Sequence, residues 1–163
     1  MELKEIFKMQ KGLDQHIEQQ HQLDKEDLFD RKTLALLVEL GELANETRCF
    51  KFWSLKEPSP RSIILEEFVD GIHFIVSLGI ECGFEGIDTL SVEKQEGKTL
   101  TEQFLKVYES VHTFRTTKKL EAYKEMFEHY LWLAALLGFS ESEIKEAYIS
   151  KNEVNYKRQQ EGY

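Results

Sequence analysis

Two stretches, TLALLVELGELANE (Thr33 to Glu46) and IILEEFVDGIHFIV (Ile63 to Val76), constrain this chain more than any other part of it. Each is free of proline and apolar round most of a helical circumference, so a helix formed there must pack on several sides. Each also carries a narrow strip of acids: Glu39, Glu42 and Glu46 in the first, Glu66, Glu67 and Asp70 in the second. At 100° per residue Glu42 lies about 60° behind Glu39 and Glu46 about 20° behind it, so the three share one strip. Glu66, Glu67, Asp70 and His73 span roughly 120° of the second helix. Buried helices hold that many carboxylates only where positive charge lies between them.

The remaining segments read as helices too. Two prolines and nine glycines in 163 residues leave few breakers, and Glu, Lys, Leu and Gln favour long helices. Ile6, Met9, Leu13 and Ile17 make an amphipathic helix from about residue 2 to 22. After a polar stretch from Asp24 to Asp30, Asp27 or Asp30 caps a second helix ending near Cys49. The connector RCFKFWSLKEPSPR is aromatic and basic. Ser59 reads as an N-cap with Pro60 in the first helical position, opening a third helix to about Cys82. Gly79 and Gly83 read as its stop signals. Residues 84–98 read as a loop near the upper limit of length for an unstructured connection. Thr99 with Glu102 and Ser140 with Glu143 are capping boxes. They open a helix to about Phe114 and a last helix to about Gln160, with Leu120 to Leu137 between them. The expectation is an all-α fold, a single-domain bundle of five to six helices over residues 1–163.

A net charge of −9 speaks against a nucleic acid polymer or an anionic membrane as partner. It leaves room for a small phosphorylated molecule held through metal ions. Cys49 and Cys82 stand alone, without zinc-type spacing. No apolar run reaches membrane-spanning length, and MELKEIFKMQ does not read as a signal peptide. The chain is expected to be soluble and cytoplasmic.

Carboxylates three apart lie one turn apart on a helix face and can share a hard cation. Magnesium takes oxygen ligands and bridges carboxylates to phosphates. Taken alone, Glu-x-x-Glu is most often a solvated face. Here Glu39-x-x-Glu42 is followed after 24 residues by Glu67-x-x-Asp70, on helices otherwise apolar. That pairing points to a cradle for two or more magnesium ions. His73 is either a ligand-facing group or a satisfied core histidine. Phe52 and Trp53 beside Lys51 either stack a base or cap the core. The last helix begins with an apolar face (Ile144, Ala147, Tyr148) that continues as Lys151, Asn155 and Arg158, a strip suited to phosphate. No nucleophile elbow, phosphate-binding glycine loop or dinucleotide fingerprint occurs. Metal-activated water with a carboxylate base is the chemistry these residues support.

These motifs resemble the all-α nucleoside triphosphate pyrophosphohydrolases, which include MazG-like proteins, and within them the dimeric dUTPases. The narrower resemblance rests on Gln10 in Lys-Met-Gln, on Lys51-Phe52-Trp53, on VDGIHF (Val69 to Phe74), and on the ending Lys151-Asn152-x-x-Asn155-x-x-Arg158-Gln159-x-x-Gly162-Tyr163. The resemblance implies a magnesium-dependent homodimer that hydrolyses dUTP, and dUDP, to dUMP. It implies that Glu39, Glu42, Glu67 and Asp70 bind the ions, with Glu42 orienting the water. Lys151 and Arg158 would meet the phosphates, and Gln10, Asn155 and Trp53 would line the uracil and deoxyribose pocket. Larger relatives carry an insertion between the third and fourth helices that this chain largely lacks. Two other readings stay open: a related enzyme taking dCTP or a non-standard nucleotide, and a non-catalytic helical interaction protein.

Overall fold

A computed structural model of the chain describes residues 1–23, 25–90 and 97–162. Asp24, part of the loop at 84–98 and Tyr163 of the C-terminal motif lie outside the described residues. Among those described, six helices follow one another: α1 (Lys4–Gln20), α2 (Phe29–Thr47), α3 (Arg61–Glu81), α4 (Leu100–Thr117), α5 (Leu120–Leu137) and α6 (Glu141–Gln160). The fold is all-α, as the periodicity predicts. An isolated antiparallel bridge joins Glu2 to Thr89.

Helix α3 is the hub, packing against α1, α2, α5 and α6. Its burial follows from its sequence: Ile64, Phe68, Ile72, Ile75, Val76 and Leu78 are all core residues. Two glycines let α5 come close. Tyr130 donates its hydroxyl to the Phe68 carbonyl at 2.8 Å and Tyr123 donates to the Ile75 carbonyl at 3.0 Å. A Cβ on Gly71 would stand 2.0 Å from the Tyr130 oxygen, and one on Gly79 would stand 2.4 Å from the Tyr123 oxygen. Gly79 is therefore an internal packing position and not a helix stop. The chain turns at Gly83, where φ is +74°.

Both capping boxes form. Thr99 and Ser140 accept from the backbone N–H groups of Glu102 and Glu143, whose carboxylates reach back in return. Asp27 accepts the Phe29 N–H at 3.0 Å, while Asp30 pairs with Arg115. The start of α3 differs from expectation by one residue. Pro60 is the N-cap, and Ser59 instead donates to the Glu46 carboxylate and ties its N–H to the Glu46 carbonyl at 3.0 Å. This fastens the connector back onto α2. Arg48 helps, donating to Ser54 Oγ at 2.6 Å and to the Lys56 carbonyl at 3.0 Å.

Helix α2 is less enclosed than its composition implies. Leu36, Leu40 and Leu43 are fully buried, but Leu34 is 63% exposed and Val38 49%. The described part of the loop after α3 is not free of packing either. Ile87 and Leu90 are buried, and Asp88 accepts the Leu3 N–H at 3.0 Å.

Candidate functional site

The acidic strips of α2 and α3 face each other because these helices are packed side by side. Glu39, Glu67 and Asp70 each bring a carboxylate oxygen within 4.8 Å of the others. Glu42 lies one turn further along α2 and is more exposed, yet its charge acts on both Glu39 and Glu67. Glu46 is taken up by Ser59.

The electrostatics show what this convergence costs. Burial, then the neighbouring Asp70, Glu42 and Glu67, push the Glu39 carboxyl up from 4.5 to about 7. Burial first, and then Asp70 and Glu42, raise Glu67. Burial raises Asp70 as well, while Lys151 works against the rise. Lys151 Nζ lies 2.7 Å from Asp70 Oδ2 and 2.8 Å from Glu66 Oε1. That lysine is almost fully enclosed and bridges α6 to α3. Glu66, mostly solvated, is held below its usual value by the same ammonium. The site thus has three crowded carboxylates on one side and a cation of its own on the other. An oxygen-only donor set with excess negative charge suits a hard divalent ion.

Beside the carboxylates opens a cavity of about 360 Å³ whose lining includes Gln10, Glu39, Asp70, His73, Lys151, Asn155 and Arg158. Helices α1, α2, α3 and α6 all contribute. Seven of the residues singled out from sequence therefore share one cavity. Trp53 and Lys51 do not line it. Trp53 is 64% exposed on the connector, edge-on to Phe50 and Phe52, and Lys51 bonds to Asn45.

His73 is 5% exposed, and burial, helped by nearby Lys151, depresses its pKa from 6.5 to about 3. It is neutral at physiological pH. Its ring stacks on Tyr148 at 4.1 Å between centroids. Its Nδ1 lies 2.7 Å from Gln10 Oε1, which also accepts the Tyr148 hydroxyl at 2.6 Å.

Several residues of this wall escape the sequence reading. Asp14 accepts from Gln10 Nε2 at 2.7 Å and from Ser77 Oγ at 2.6 Å. Lys32 lies among Asp14, Glu18 and Glu81. Asp14, Ser77, Glu18 and Lys32 all line the cavity. One signal was present: Gln10 and Asp14 are polar residues four apart on the amphipathic first helix, and Ser77 continues the strip of Glu66, Asp70 and His73.

The profile of a family described as dUTPase matches residues 2–163 of the chain. A search of curated proteins finds no match.

Proposed function

The chain belongs to the dUTPase family of dUTP diphosphatases, and we propose that it hydrolyses dUTP, and dUDP, to dUMP with magnesium held by Glu39, Glu42, Glu67 and Asp70. The observation that carries the proposal is the approach of Glu39, Glu67 and Asp70 to within 4.8 Å beside an ammonium and a cavity. These residues would hold two or more ions together with the substrate phosphates. Bound there, magnesium neutralises phosphate charge and acidifies water.

The residues divide the remaining work. Glu42, exposed one turn along α2 from Glu39, orients the attacking water and accepts its proton, with Glu39 as second catalytic carboxylate. Lys151 and Arg158 meet the phosphates. Gln10, His73 and Asn155 face the nucleoside. The enzyme works as a homodimer. Leu34, Val38 and Leu105 leave an apolar surface on α2 and α4, and between these helices Leu34, Leu37, Tyr108 and Val111 line a groove. Trp53 and Lys51, on the exposed connector outside this cavity, are the remaining candidates for contact with the substrate. The substrate is a free nucleotide, in the cytoplasm. No described helix is long and apolar enough to cross a membrane.

A panel of nucleoside triphosphates assayed with magnesium, scoring pyrophosphate and monophosphate, tests this. dUTP should give dUMP and pyrophosphate, and EDTA should stop the reaction. Equal turnover of dTTP and dUTP would refute the assignment of substrate.

A further inference from the structure

We infer that Asp14 is a positioning residue that fixes the hydrogen-bonding polarity of the base-facing wall, by locking the Gln10 amide and, through it, the His73 ring tautomer. The inference rests on the reading above that Gln10 and His73 face the nucleobase.

Asp14 is 9% exposed, and each of its oxygens accepts one bond: Oδ1 from Gln10 at 2.7 Å, Oδ2 from Ser77 at 2.6 Å. A carboxylate only accepts, so the Gln10 atom facing it must be the amide nitrogen. The Gln10 carbonyl oxygen then faces the other way. It has two lone pairs, one taken by the Tyr148 hydroxyl at 2.6 Å and the other by His73 Nδ1 at 2.7 Å. His73 Nδ1 must therefore carry the ring proton. The ring is neutral, so Nε2 holds a bare lone pair, and that atom is buried without a protein partner. A buried polar atom left unpaired is costly, which points to a ligand group that donates to it.

The wall consequently offers two groups of fixed sense: the second N–H of Gln10, and the lone pair of His73 Nε2. Uracil presents a carbonyl oxygen beside the N3–H, an acceptor next to a donor. Cytosine presents an amino group beside an unprotonated N3, the reverse order. A wall locked by Asp14 matches the first edge and opposes the second.

Lys32 makes Asp14→Asn informative. Its Nζ stands 3.7 Å from Asp14 Oδ2, on the Ser77 side. An asparagine there keeps its oxygen toward Lys32 and turns its NH₂ toward Gln10. The Gln10 amide then reverses, its nitrogen donates to His73 Nδ1 and Tyr148, and the ring proton moves to Nε2. In this alternative arrangement the Tyr148 oxygen accepts where its hydroxyl had donated, so that hydroxyl hydrogen gives up its Gln10 acceptor, and His73 Nε2 again stands without a protein partner.

The experiment is long-range ¹H–¹⁵N NMR on the nucleotide-free, histidine-labelled protein at neutral pH, with the His73 signal identified by its loss in His73→Gln. Alongside it, kcat/KM for dUTP and dCTP is measured with magnesium. Wild type should show His73 protonated on Nδ1. In Asp14→Asn the proton should move to Nε2, and the preference for dUTP over dCTP should fall by about tenfold to a hundredfold. A wild-type His73 protonated on Nε2 overturns the inference outright, whether or not the variant folds. So does an Asp14→Asn protein whose tautomer or whose selectivity is unchanged. Failure of wild type to hydrolyse dUTP would instead remove the functional reading while leaving the tautomer result standing.

Discussion

Replacing Glu39 by glutamine should make the metal-free protein more stable while abolishing its activity. The folded protein holds the Glu39 carboxyl at about 7, against an ordinary value of 4.5, because of burial and the charges of Asp70, Glu42 and Glu67. Between those two values the folded state keeps a proton that the unfolded state has released. Stability must therefore fall as pH rises through this window, and the whole penalty is present above it. At 1.36 kcal/mol per unit the shift sets a ceiling of about 3 kcal/mol. Glu39 is only half enclosed, so screening by water and salt leaves roughly 1–2 kcal/mol.

Urea denaturation followed by circular dichroism, in EDTA, gives the comparison. At pH 8 Glu39→Gln should exceed wild type by that margin, and below pH 4.5 the two should coincide. Magnesium should reverse the order, because it binds the folded wild type and stabilises it by mass action, whereas the variant has lost a ligand. Glu67 and Asp70 are raised in the same sense, so the relief is shared among them and the pH profile is that of the cluster. A variant no more stable than wild type in EDTA at pH 8, or one that magnesium stabilises equally, would refute the reasoning.

Lys151→Met leaves Asp70 without its ammonium partner at 2.7 Å; it should cost about 2 kcal/mol in metal-free urea melts and raise KM for dUTP at least tenfold in steady-state assays. Gly71→Ala places a methyl group 2.0 Å from the Tyr130 oxygen and 2.6 Å from its ring. Thermal melts should show a loss of about 2–4 kcal/mol, since the tyrosine is fully buried and cannot retreat. Val38→Glu, alone or with Leu34→Glu, puts charge on the exposed apolar face of α2; light scattering should report a dimer for wild type and a monomer for the variant.

How much of this could be read from sequence depends on the kind of interaction. Helices declared themselves through local spacing, and the two capping boxes, at Thr99 and Ser140, are complete within four residues. The carboxylates of α2 and α3 were readable for a related reason: an apolar helix with acids on one strip is an energetic anomaly visible without its neighbours. Enclosure was not readable in the same way. Leu34 and Val38 look like core in α2, but burial is set by which helices arrive, and among the described residues none covers these two fully. Gly79 looked like a terminator because a glycine near an expected helix end has two uses, and only the Tyr123 ring of α5 tells them apart.

Hydrogen-bond direction is the least local property of all. The sequence marks Gln10 and His73 as polar positions in amphipathic or apolar helices, which makes them noticeable. It does not say which atom of the amide faces which neighbour. That follows only when Asp14, one turn along α1, meets Ser77 of α3 and the Tyr148 hydroxyl arrives from α6. The site's negative charge is thus carried by two short motifs, on the adjoining helices α2 and α3. The polarity proposed for its base-facing wall is set by a relay spanning three helices. A family resemblance built on motifs therefore reaches phosphate and metal chemistry sooner than base choice. Substitutions at Asp14, Ser77 or Tyr148, outside the acidic motifs, are accordingly where a shift in base preference is expected to arise with the carboxylate cluster intact.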